Sequence, residues 1–282
     1  MNKILLPTDY SEVSVKAIDY ASKLFGDYGC EFNVVHSFLL SRSGLSRLRK
    51  RYKDTKDFRK SEAAAKDEMR KLLRSLLESH KNDPHVYRAY VTAQRIPDSI
   101  KQSVLELQCD MVVMATTGAS GLKEVFLGSN AVKVIKKIDF CPLLLVPAGY
   151  EYVPVKKILF VNDFRRNFEI EELTPLRAMA RVTGAKVVLL YVNDGEPFTP
   201  IQEGNRVKLL EMFSGIEVEE QQMPMDNFLT DIIEEYSENH GVNMLAMIRN
   251  KHHPVYRLLR EPVVKRIAFS SAIPFLVMPE VV

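Results

Sequence analysis

Lys3-Ile-Leu-Leu-Pro7-Thr8-Asp9-Tyr10 is spelled a second time, with changes, as Lys157-Ile-Leu-Phe-Val-Asn-Asp163-Phe164. Each is a short apolar run that stops on a polar pair, the pattern of a buried strand entering a turn. Working outward, Gly29-Cys-Glu-Phe-Asn-Val-Val-His36 is answered by Gly184-Ala-Lys-Val-Val-Leu-Leu-Tyr191, and Cys141-Pro-Leu-Leu-Leu-Val-Pro147 by Ile273-Pro-Phe-Leu-Val-Met-Pro279. Lys157 follows Lys3 by 154 residues, whereas Pro274 follows Pro142 by only 132, so the first copy carries more than 20 additional residues. A period this long exceeds the roughly 20–50 residues of solenoid repeats and marks duplication of a whole domain. The copies meet at Ala148-Gly-Tyr-Glu-Tyr-Val-Pro154, a short junction holding Gly and Pro. The expected domains are 1–149, with an inserted helical segment at about 41–80, and 155–282.

Within the first copy, residues 3–7, 31–36, 109–115 and 142–146 are continuous apolar runs, which fits strands covered on both faces of a parallel sheet. Residues 86–92 are more mixed and suit an edge strand. Helices are expected between them. Ser11 or Ser14 can cap a helix whose apolar positions Val13, Ala17, Ile18, Ala21 and Leu24 follow the 3.6 period up to Gly26. Residues 61–79 lack Gly and Pro, residues 97–107 open on Pro97-Asp98-Ser99, and residues 124–138 stop before Cys141-Pro142. The order βαβαβαβαβ winds by right-handed crossovers into a doubly wound open sheet. The fold class is therefore α/β, with two tandem doubly wound parallel-sheet, Rossmann-like domains. Ligands of such sheets bind at the carboxyl ends of the strands.

Composition excludes several classes. Net charge is +3, from 39 basic and 36 acidic residues, too balanced to argue for nucleic acid or a membrane surface. Only three apolar residues precede Pro7, far short of the ~7 of a signal peptide or the ~18 of a membrane helix, so a cytoplasmic location is expected. Cys30, Cys109 and Cys141 are odd in number and never spaced CxxC, and read as small buried hydrophobes rather than disulfides or zinc ligands. The basic stretch Ser41-Arg-Ser-Gly-Leu-Ser-Arg-Leu-Arg-Lys-Arg-Tyr-Lys53 has no interleaved stacking aromatics and reads as a solvated helix face. His252-His253 are adjacent, so their side chains diverge, and no metal site is expected there.

The chemistry is carried by Met114-Ala-Thr-Thr-Gly118-Ala-Ser-Gly-Leu-Lys-Glu-Val-Phe-Leu-Gly128-Ser129-Asn130-Ala131. It leaves a buried strand, crosses a loop of small residues and enters a helix. Glycines allow backbone N–H groups to approach an anion closely, and a helix start with a serine hydroxyl favours phosphate. Asp9, at the end of the first strand, projects into the same crevice.

This constellation resembles the universal stress protein family, whose ATP-binding signature is Gly, two residues, Gly, nine residues, Gly, then Ser or Thr. Gly118, the nine residues 119–127 and Gly128-Ser129 match it, and Pro7-Thr8-Asp9 matches the family's first-strand motif; the first signature glycine is here Ala115, whose methyl is expected to crowd a nucleotide. The resemblance covers both halves and implies an adenine nucleotide alpha hydrolase-like fold binding ATP, with or without Mg2+, in the first domain. By resemblance, Pro7, Thr8 and Asp9 would line the nucleoside side, with Asp9 near the ribose or a metal. Met114, Ala115, Thr117 and Gly118 would border ribose and phosphates, and Gly128, Ser129, Asn130 and Ala131 would hold the phosphates. In the second copy Arg260 and Glu261 stand where Gly128 and Ser129 should be, and Glu261 opposes an anion.

No Walker Gly-x4-Gly-Lys-Ser/Thr occurs, and no base with an oriented partner is evident for attack on a γ-phosphate. His36, at the strand end matched by Tyr191, reads as a structural residue at the pocket rim. The expectation is a stress-response protein that binds a nucleotide without being an enzyme and signals to an unidentified protein partner. The rival is a structural or interaction protein in which neither domain binds nucleotide. Strands 142–147 and 274–279 would be aggregation-prone if left unpaired, so the copies are expected to pack as an intramolecular pseudo-dimer with these strands near the seam, a further homodimer remaining open.

Overall fold

A computed structural model describes residues 2–38, 56–116, 129–193, 195–249 and 271–281. The strands are β1 Lys3–Thr8, β2 Glu31–Ser37, β3 Val86–Thr92, β4 Met111–Ala115, β5 Leu143–Val146, β6 Lys157–Val161, β7 Lys186–Asn193, β8 Val218–Pro224, β9 Met244–Arg249 and β10 Phe275–Pro279. The helices are α1 Glu12–Phe25, α2 Lys56–Ser79, α3 Ile96–Leu107, α4 Ser129–Lys137, α5 Ile170–Thr183, α6 Pro200–Met212 and α7 Leu229–Asn239. All ten strands form one sheet in the order β3-β2-β1-β4-β5-β10-β9-β6-β7-β8. Each half thus has the same internal order, and the mixed strand β3 lies at an edge.

Local chemistry sets the helix ends. Ser11 caps α1, its hydroxyl accepting from Ser14 N at 3.3 Å, and Gly26 at φ 39° ends the helix where a side chain would be strained. α2 starts at Lys56, earlier than the 61 expected. α3 starts at Ile96 with Pro97 in its first turn. The part of the expected helix 124–138 that lies within the described residues is α4.

Apolar side chains cover both faces of the sheet. One face buries α1, α2, α5 and α6 against Ile4, Leu6, Phe32, Phe160, Leu189 and Met278. The other buries α3, α4 and α7 against Leu5, Val112, Leu145, Leu159 and Val277. Both layers run unbroken across the middle of the sheet. Cys30, Cys109 and Cys141 are free thiols inside these layers, and burial pushes the thiols of Cys30 and Cys109 up to about 11 and that of Cys141 up to about 12.

The halves join by antiparallel pairing of β5 with β10: Leu145 faces Phe275, Leu144 faces Leu276 and Leu143 faces Val277. In the sequence repeat Leu144 and Leu276 are equivalent, so the register is its own mirror about that pair, as an isologous contact requires. All six side chains are essentially buried, each gaining about 1.5–3 kcal/mol over exposure. The junction also packs: Tyr150 and Tyr152 set their rings edgewise on Tyr20 of α1 at 5.9 and 5.7 Å. Among the described residues, no helix is long and apolar enough to cross a membrane.

Candidate functional site

β1 stays paired with β2 as far as Thr8 opposite His36, but its pairing with β4 comprises only Ile4–Met111 and Leu5–Val112. β1 and β4 therefore part beyond Leu5, and Pro7, which has no N–H to give, sits where the ladder is already open. This is the switch point of the first half, where a crevice is expected.

The turn after β1 is held by its own polar side chains. The Thr8 hydroxyl accepts from Tyr10 N at 3.0 Å and lies 2.8 Å from the Ser14 hydroxyl, so this buried group is spent on the turn. Asp9 is exposed, and its Oδ1 accepts from both the backbone N (3.1 Å) and the hydroxyl of Ser11. Tyr10 adopts φ 66°, the left-handed region that an aromatic residue occupies only under constraint. Its ring lies on His36 with centroids 4.1 Å apart, and its hydroxyl donates to the Ala65 carbonyl of α2 at 2.8 Å.

His36 Nδ1 is 2.9 Å from the Thr8 carbonyl, which can only accept, so Nδ1 carries the proton and Nε2 is the acceptor of the neutral ring. Burial holds this imidazole below its usual 6.5, against the Thr8 hydrogen bond and the Asp9 carboxylate, which favour its charge. The sequence pointed to Thr8 and Asp9 but missed Tyr10, and it left His36 only a structural place at the rim. The signal available was the Thr-x-Tyr-Ser spacing, in which a hydroxyl can bond the N–H two residues on.

On the far side of the crevice, Met114 and Ala115 end β4. The Ala115 methyl, 8% exposed, packs in the core layer that carries α1. α4 opens at Ser129; Asn130 is exposed and Ala131 is buried in the opposite layer. The first turn of α4 holds no acidic residue, and its last turn holds Lys136 and Lys137, a charge order that follows the helix dipole. Thr117, Gly118 and Gly128 lie outside the described residues, as do the basic stretch 41–53, His252-His253, and Arg260 and Glu261. Among the described residues, no three His, Cys, Asp or Glu side chains are placed to share a metal.

The second half repeats the turn and fills the crevice. Asn162 Oδ1 accepts from Phe164 N at 2.8 Å and Asp163 Oδ1 from Arg165 N at 3.1 Å, the bonds made by Thr8 and Asp9. Phe164, at φ 54°, takes the backbone conformation of Tyr10. Here, however, the turn is roofed. Phe164, Tyr191 and Phe198 form a packed aromatic trio with centroids 4.6–5.7 Å apart. From α6, Gln202 donates to the Asp163 carbonyl at 3.0 Å and Asn205 to the Phe164 carbonyl at 2.8 Å.

Asp163 is 3% exposed, and its Oδ2 has no hydrogen-bond partner among the described residues. Burial pushes its carboxyl above the usual 3.8, although the Arg165 N–H and the Arg165 and Arg166 charges pull the other way. Arg249, the last residue of β9, is buried and donates across the seam to the Ile135 carbonyl near the end of α4. A cavity of about 190 Å³ between α7 and Ser271–Ile273 lies at the amino ends of β9 and β10, the wrong end of the strands for a switch-point ligand.

The universal stress protein family model matches residues 1–147. The chain belongs to the universal stress protein family. A universal stress protein of Methanocaldococcus jannaschii is 27% identical over 145 residues, covering 51% of this chain and 81% of that one. A universal stress protein from Archaeoglobus fulgidus, 19% identical, superposes over 99% of this chain and 96% of its own with a TM-score of 0.68. A functionally unknown protein from Pseudomonas aeruginosa, 12% identical, does so over 99% and 93% with a TM-score of 0.59. These two overlaps show that the fold is shared along nearly the whole chain; at such identities they speak to the fold alone. The family match by sequence falls on the half in which the turn leaves its carboxylate, Asp9, exposed.

Proposed function

We propose that the first half binds an adenine nucleotide, ATP with or without Mg2+, and that binding rather than turnover is the function, with a protein partner responding to the occupied state. The observation that supports this most directly is the contrast between the two crevices. Asp9 and Asn130 are exposed at the first switch point, and α4 starts there without an acidic residue. The second switch point is closed by Phe164, Tyr191 and Phe198, with its carboxylate buried.

The residues suit the group. The N–H groups of Ser129, Asn130 and Ala131, at the N-terminal end of α4, would meet the phosphate oxygens. Gly128 and Gly118, by the sequence spacing, would let the backbone approach them. The exposed Asp9 would take a ribose hydroxyl or a metal, with Pro7 and Thr8 forming the wall behind it and Met114, Ala115 and Thr117 the opposite edge. Thr8 contributes shape rather than a hydrogen bond, because its hydroxyl is already engaged.

Calorimetric titration of the purified chain with ATP tests this. One ATP per chain is expected, with binding abolished by Ser129→Glu, which places a carboxylate at the anion site. Two equal sites, or no binding at all, would overturn the proposal.

A further inference from the structure

The turn that presents Asp9 is tied to α2 by a 2.8 Å hydrogen bond from the Tyr10 hydroxyl to the Ala65 carbonyl. The tie continues inward through the Tyr10–His36 stack and His36 Nδ1 to the Thr8 carbonyl, so two side chains connect the middle of α2 to the end of β1. Burial, with the Glu68 charge of α2 added, pushes the Tyr10 phenol further above its usual 10, so it remains a donor throughout the physiological range. Tyr10 sits in the left-handed region, a conformation retained only while its surroundings hold it.

The second half shows the alternative. There α6 grips the equivalent turn through two amide side chains on two carbonyls, beneath a full aromatic roof. The first turn meets α2 instead through the Tyr10 phenol, a bond that can be made or released without disturbing the Thr8 and Asp9 hydrogen bonds that hold the turn itself.

We infer that Tyr10 is a positioning residue of the first-half site and that α2 is the element through which its occupancy is felt. The inference rests on the nucleotide reading above. A ligand seated against the turn favours the conformation of Tyr10 that reaches Ala65, and so steadies α2; by linkage, whatever steadies α2 tightens the ligand to the same degree.

The test uses the full chain as wild type, Tyr10→Phe and, as a second-half control, Asn205→Ala. ATP affinity is measured by calorimetry, and hydrogen exchange of the amides of residues 56–79 is followed with and without ATP. In the wild type ATP should slow exchange along α2. Tyr10→Phe keeps the ring stack and loses the latch, so it should bind ATP about five-fold more weakly, the worth of one neutral hydrogen bond, and its α2 should no longer respond to ATP. Asn205→Ala should leave both readouts as in the wild type. ATP binding of unchanged strength in Tyr10→Phe, or a wild-type α2 indifferent to bound ATP, overturns the latch alone. A wild type that binds no ATP overturns the nucleotide reading and the latch with it.

Discussion

The turn after β1 and the turn after β6 are the same piece of backbone put to opposite uses. Both end a buried strand on a polar residue that bonds the N–H two positions on, both place an aromatic residue at positive φ, and both begin a helix just beyond. What differs is what stands above them. Over the first are a half-buried Tyr10–His36 pair and an exposed Asp9. Over the second are Phe164, Tyr191, Phe198, Gln202 and Asn205, packed until Asp163 is sealed. The difference teaches that the strained turn serves the fold whether or not its carboxylate is covered: the turn recurs in both halves while the side chains above it do not.

The sharpest way to break the comparison is to empty the second crevice. Phe164→Ala should cost about 3–5 kcal/mol of stability, the usual range for a buried phenylalanine, while Tyr10→Ala costs less because part of its ring already faces solvent. Thermal or urea unfolding of the two variants decides it; equal losses would mean the second crevice is no better packed than the first. A smaller effect is expected from Asn205→Ala, which leaves the buried Phe164 carbonyl without its side-chain donor and should cost about 1–3 kcal/mol. A loss within error would show that α6 does not grip the turn.

The smallest effects separate the halves by sign. The His36 imidazole is held low, so the stability it contributes is complete above its unfolded value near 6.5 and is lost as pH falls through the folded value. The Asp163 carboxyl is held high, so its contribution is complete below its unfolded value near 3.8 and is lost as pH rises through the folded value. Asp163→Asn should therefore raise the melting temperature at pH 7, the gain shrinking toward pH 4. His36→Phe should remove part of the loss seen between pH 7 and pH 5. Melting curves across that range check both, and a gain from Asp163→Asn that grows with acid would reverse the assignment.

Much of the fold was legible in the sequence because buried parallel strands leave continuous apolar runs, and a repeated domain writes them twice. The described α2 reaches back to Lys56 and α3 to Ile96, ahead of the expected starts. The site was legible only in part. Thr8, Asp9 and Ser129 announce themselves by spacing, but nothing in the spelling says that the Thr8 hydroxyl is consumed by Ser14 and Tyr10, or that the Ala115 methyl turns into the core. Tyr10 escaped notice because its importance lies in a bond to Ala65, 55 residues away.

The α/β class, the strand sequence, the repeat of one half by the other, and Arg260-Glu261 standing opposite Gly128-Ser129 were determined by the sequence itself, since each follows from local pattern and from one half read against the other. The tertiary structure decided the rest. It set Leu144 against Leu276 so that two sheets became one, because the unpaired edge of each copy satisfies the backbone groups of the other. It also decided that the second turn is roofed, because that depends on Phe198, Gln202 and Asn205 reaching a turn that lies about 40 residues earlier in the chain.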